Sequence, residues 1–173
     1  MINIDLFECL ETDINHYQKL GTVMLSKEFN DRASCKQDSI LCDTFVANID
    51  ADDYVIDNPL QRNSMDKENN SHGDKLLDLC KATALRKANS RIGSDFWKGT
   101  YICFNINVSS VFDYLLLIEQ YFNWVNNFTV REFDNLSDHA TLSFNIKCNS
   151  CCEIEEPYVC EYLKLNTEFK KWF

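Results

Sequence analysis

Tyr101-Ile-Cys-Phe-Asn-Ile-Asn-Val108, then Ser109-Ser110, then Val111-Phe-Asp-Tyr-Leu-Leu-Leu-Ile-Glu-Gln-Tyr-Phe-Asn-Trp-Val125 is the stretch whose reading decides the fold. In the first segment Ile102, Phe104, Ile106 and Val108 share one face and Tyr101, Cys103, Asn105 and Asn107 the other. This period of two is the mark of a strand with one buried face. The serines resemble a helix cap, and the apolar run 111–125 that follows is long for a strand, so it reads as a helix. Phe128 to Phe133 returns as a strand. The polar turn Asp134 to Asp138 leads into Ala140-Thr-Leu-Ser-Phe-Asn-Ile-Lys147, which alternates again. The expected core face carries Ile102, Phe104, Ile106, Ala140, Leu142, Phe144 and Ile146.

Working outward, residues 4–29 read as an amphipathic helix with Leu6, Leu10, Ile14, Tyr17, Leu20 and Met24 in one stripe. The pattern also admits a short coiled coil, which Gly21 weakens. Residues 31–73 are irregular, with 58–72 expected as an exposed linker because little apolar area offsets the entropy of ordering them. Asp74 to Asn89 reads as a helix with Leu76, Leu77, Cys80, Ala84 and Ala88 inward, and Ile92 to Trp97 as a weak strand. The expected organisation is therefore an N-terminal helix over 1–30, a linker over 31–73, a core over 74–147, and a cysteine-containing tail over 148–173 with a short amphipathic helix. The fold class expected is α+β: a ferredoxin-like αββαββ sandwich on a four-stranded antiparallel sheet.

The chain has 173 residues, 45% of them hydrophobic, enough for a folded domain with a core. Its formal charge is −10, which argues against binding nucleic acid, since such affinity rests largely on Lys and Arg neutralising phosphates. The N-terminus lacks the apolar region of a signal peptide. No run approaches the roughly 18 apolar residues that span a bilayer.

The helix Leu76 to Leu85, the alternating strand, the Ser110-Val-Phe-Asp-Tyr-Leu-Leu-Leu-Ile-Glu119 segment, the strand after Asn126-Asn127 and the last alternating strand together resemble the periplasmic ferredoxin-like domain of PilO and GspM proteins. Those proteins belong to type IV pilus and type II secretion machines. The resemblance covers about residues 74–147, and loosely 1–30. Where the pattern would place a Gly, this chain has Asn107-Val-Ser-Ser110. The resemblance implies a non-enzymatic assembly-platform component on the periplasmic side of the inner membrane, with other subunits or a second copy as partners. Outside it, a cytoplasmic location is expected.

The residues themselves point the same way, towards binding. Helix 111–125 has more apolar positions than one sheet covers, and Tyr114, Leu117, Tyr121 and Trp124 fall on one side, types suited to interface anchors. An intramolecular cover for that stripe is the open alternative. Nine cysteines are present. Cys148, Cys151, Cys152 and Cys160 have a spacing that zinc, a disulfide or plain thiols would each satisfy. Cys80 and Cys103 read as small core residues. His16, His72 and His139 stand alone and read as surface histidines, with His139 and Asp138 at most a weak pair. No catalytic residue and no cofactor is expected. Two other functions remain open: a regulatory ligand-binding module of ACT-like type, and a host-interaction protein encoded by a virus or mobile element.

Overall fold

The computed structural model describes residues 5–40, 60–104, 109–134 and 137–147. Helix α1 spans Leu6–Tyr17, with the Asp5 carboxylate capping it by accepting from the Phe7 amide. It ends well before residue 29, because the chain turns at Gln18 to Gly21 and continues as strand β1, Met24–Glu28. Helix α2, Ser71–Thr83, starts ahead of the expected Asp74 and is capped by Asn70, whose side chain accepts from the Gly73 amide. It closes on Ala84 in a left-handed conformation. The short strand β2, Leu85–Lys87, follows where the helix was expected to continue. Ile92 to Trp97 holds a single 3-10 turn, Gly93–Asp95, in place of a strand.

The main correction lies at 111–125. There is no helix. Strand β3, Cys103–Phe104, pairs with β4, Ser109–Ser110, and the chain then enters strand β5, Asp113–Ile118. A 3-10 helix, Glu119–Trp124, leads to β6, Val125–Val130, which pairs with β7, Leu142–Ile146. The described residues therefore form a mixed α+β structure with antiparallel sheets of order β1-β5-β2, β3-β4 and β6-β7, and not one four-stranded ferredoxin-like sheet.

The reason is the burial of β5. It is the central strand of its sheet and has a core on each side. Tyr114 and Leu116 pack with Ile14, Leu76, Leu79, Cys80, Leu85, Ile102, Val111 and Ala140. Leu115 and Leu117 pack with Ala88, Val125 and Phe128. A strand buried on both faces loses its alternation and reads as a continuous apolar run, which periodicity alone does not separate from a buried helix. The expected core face is also only partly right. Ile102 and Ala140 are buried, but Phe104 is 57% exposed and Ile146 47%. Phe128 fills the second core instead. Ile106 lies outside the described residues.

The described part of the expected linker, 60–72, is packed by polar bonds instead of apolar area. Asp66 is buried and accepts from the Ser110 hydroxyl and the Val111 amide. The Met65 amide donates to the Gly99 carbonyl, and the Arg91 side chain donates to Leu60 O. Two buried ion pairs lie beneath, Lys87–Asp31 at 3.2 Å and Arg91–Asp38 at 2.6 Å.

Candidate active site

Strand pairing brings three ionisable side chains together. In the β1–β5 register Glu28 stands opposite Asp113. The Phe29 amide donates to the Phe112 carbonyl just beyond them, so the two face each other at a non-hydrogen-bonded position, where side chains lie closest. Two carboxylates directly opposite are unfavourable unless a positive charge joins them. His139 is that neighbour. Its Nδ1 lies 2.9 Å from Asp113 Oδ2 and its Nε2 3.9 Å from Glu28 Oε1. One ligand atom from each of Glu28, Asp113 and His139 falls within 4.8 Å of the others.

His139 is placed by a short backbone ladder. The Phe104 amide donates to the Asp138 carbonyl and the Ala140 amide to the Ile102 carbonyl, which pairs Cys103 with His139. The loop after Glu28 is fixed as firmly. The Asn70 side chain accepts from the Arg32 and Gly73 amides and donates to the Asn30 carbonyl. Asn30 adopts a positive φ of 53° at this turn. The cap of α2 thereby anchors the end of β1. Arg32 lies over the Phe112 ring, 5.7 Å from its centroid, one residue from Asp113.

Burial disfavours the charged form of His139. The hydrogen bond the ring donates to the Asp113 carboxylate and the charges of Asp113, Glu28 and Asp138 outweigh it, so the imidazole pKa is raised above its usual value. The set offers two carboxylates and one imidazole, donors that suit a hard divalent cation. A carboxylate holding an imidazole also fixes its orientation and raises its basicity.

Sequence reading missed this site. His139 is not an isolated surface residue: it is 28% exposed and bound to Asp113. The sequence pattern places Asp113 on one helix and Glu28 at the end of another, so nothing in it sets the three on facing strands. The expected interface residues are not one stripe. Tyr114 and Leu117 are fully buried, on opposite sides of β5. Tyr121 is half-buried and rests on Trp124, with centroids 4.4 Å apart. Cys148, Cys151, Cys152 and Cys160 lie outside the described residues. Among the described cysteines, Cys9, Cys35, Cys80 and Cys103 are free thiols.

No helix among the described residues is long and apolar enough to cross a membrane. No protein-family profile matches the chain, and no curated protein does. Among solved structures, the chain is similar to the endonuclease domain of TRAS1, a telomere-specific non-LTR retrotransposon, at a TM-score of 0.52 and 16% identity. The match covers 84% of this chain and 53% of that domain, so the chain spans about half its length. This finding overturns the reading as a non-enzymatic pilus or secretion platform component. The segment that carried that resemblance, the expected helix 111–125, is the buried strand β5 and its 3-10 extension. What the chain shares with the endonuclease domain is its fold.

Proposed function

We propose that this chain carries a hydrolytic centre for phosphodiester bonds, of nuclease type, built on Glu28, Asp113 and His139. The observation that carries the reading is the convergence of these three side chains, on a fold similar to an endonuclease domain. The expectation of no enzymatic activity gives way to it, and so does the exclusion of nucleic acid on charge.

Glu28 and Asp113 are the residues that would hold a divalent cation, whose chemistry is to offset charge on phosphoryl oxygens and to make water more acidic. Asp113 orients the His139 ring. The neighbouring carboxylates favour the imidazolium form in the metal-free cluster, and His139, held by Asp113, is placed to exchange a proton with water or a phosphoryl group during hydrolysis. Arg32, beside the cluster, supports binding of the phosphate backbone. The overall charge of −10 opposes the approach of a polyanion. Without a cation, Glu28, Asp113 and Asp138 would repel a phosphodiester, so hydrolysis should depend wholly on added metal.

Of the alternatives open from sequence, the host-interaction protein encoded by a virus or mobile element agrees with the description of the structural neighbour in its mobile-element origin alone. The test is cleavage of plasmid or oligonucleotide DNA by the full chain with Mg2+ or Mn2+, and its loss on chelation.

A further inference from the structure

We propose that Cys103, Asp138 and His139 form a second cation site, for thiophilic divalent ions of the Zn2+ and Cd2+ class, and that it shares its imidazole with the Glu28–Asp113–His139 cluster. One ligand atom from each of these three residues lies within 4.8 Å of the others. The arrangement follows from the backbone. Cys103 and His139 are directly paired, with the flanking hydrogen bonds from Phe104 to Asp138 and from Ala140 to Ile102 on either side. That is the non-hydrogen-bonded position of an antiparallel pair, where facing side chains approach most closely. Asp138 neighbours His139 in sequence and is exposed, which leaves the site an entrance from solvent. Cys103 itself is buried.

The two clusters differ in chemistry. Glu28, Asp113 and His139 give two hard oxygen donors. Replacing one carboxylate by a thiolate changes the preference, because sulfur with imidazole selects zinc-like ions and discriminates against Mg2+. Three protein ligands leave a fourth position for water. On binding, the Cys103 thiol loses its proton to solvent and the sulfur becomes a thiolate ligand; no oxidation is involved. One imidazole cannot serve both sets. An ion seated on Cys103 and Asp138 therefore withdraws His139 from the proposed hydrolytic centre, and thiophilic ions act as inhibitors while Mg2+ or Mn2+ supports turnover. The inhibitory consequence rests on the hydrolytic reading; the binding itself does not.

The two are tested separately. The full chain, carrying Cys148→Ser, Cys151→Ser, Cys152→Ser and Cys160→Ser to silence the tail thiols, is titrated with Cd2+ while the ultraviolet absorption of the thiolate–cadmium bond is followed. A saturable step is expected, lost in the further variant Cys103→Ser and weakened in Asp138→Asn. Circular dichroism checks that each variant is folded, and the Asp138→Asn titration gives a second readout. A titration unchanged by Cys103→Ser, or by Asp138→Asn, overturns the proposal. In a DNA-cleavage assay with Mg2+, Zn2+ should inhibit the tail-silenced protein more strongly than its Cys103→Ser derivative. Absence of cleavage in both would count against the hydrolytic reading and leave the cadmium titration to decide the site.

Discussion

The His139 imidazole lies 2.9 Å from the Asp113 carboxylate, tying the first residue of β5 to the bridge that precedes β7. The contact has a measurable consequence in the metal-free protein. Asp113 is a leading cause of the raised His139 pKa, with Glu28 and Asp138 adding to it and burial opposing it. Asp113→Asn keeps a hydrogen-bonding side chain and removes the charge, so the imidazole pKa should fall. NMR titration of the histidine ring in the presence of chelator reads this directly. An equal or higher pKa in the variant would show that Asp113 does not hold the imidazolium.

The buried pair Asp31–Lys87 predicts how stability changes with pH. Burial pushes the Asp31 carboxyl up to about 6, against the opposing pull of Lys87. The unfolded chain titrates this group near 3.8. Between the two values the folded state holds a proton that the unfolded state has lost. Its contribution to stability is therefore present below 3.8 and lost as pH rises through about 6. Asp31→Asn should flatten this part of the profile in urea denaturation at a series of pH values, even though it lowers absolute stability by leaving Lys87 without its partner. A profile in the variant as steep as the parent's would remove Asp31 as the cause.

Phe128 and Phe104 should behave oppositely on truncation. Phe128 is fully buried between β5 and β7, against Leu115, Leu117 and Phe144. Phe128→Ala should cost about 3–5 kcal/mol. Phe104 is largely exposed and leans on Phe133, at 5.8 Å between ring centroids. Phe104→Ala should cost about 0.5 kcal/mol or less. Chemical denaturation measures both, and a larger loss at Phe104 would place the core on the wrong face.

The sequence showed the last strand plainly, because Leu142, Phe144 and Ile146 alternate with polar residues, although burial along it fades towards its end instead of alternating. It showed α2 for a related reason: Leu76, Leu79, Cys80 and Thr83 face inward at helical spacing. Strand β5 was hidden because Tyr114 to Leu117 are all buried, two on each side, and no polar position marks the pleat. The order of 60–70 was hidden because it comes from Asp66, Arg62 and backbone bonds, which leave no hydrophobic pattern. The site was illegible for a compound reason. Glu28, Asp113 and His139 come from three distant segments, and only the pairing of β1 with β5 and of Cys103 with His139 joins them.

Gly73 links the helix cap to the site loop. A Cβ there would lie 1.9 Å from the Arg32 carbonyl oxygen, in a first turn that the Asn70 side chain ties to the loop after β1. Backbone cannot give way as a flexible side chain can. Gly73→Ala should therefore cost about 1–3 kcal/mol, and it should impair the site as well, by shifting the loop that follows Glu28. Thermal unfolding and DNA cleavage measured on the same preparation check the coupling; a variant that loses neither stability nor cleavage would show that the loop tolerates displacement.

The central claim is that Glu28, Asp113 and His139 act together on a phosphodiester. The most direct measurement is the cleavage rate of a labelled DNA oligonucleotide by the full chain and by Glu28→Gln and His139→Ala, with Mg2+ or Mn2+ and with excess chelator, after circular dichroism has shown each variant folded. The account predicts cleavage that requires the metal and falls by about a hundredfold or more in each variant. Cleavage at the parent rate in either folded variant, or no cleavage by the parent chain with either metal, would contradict it.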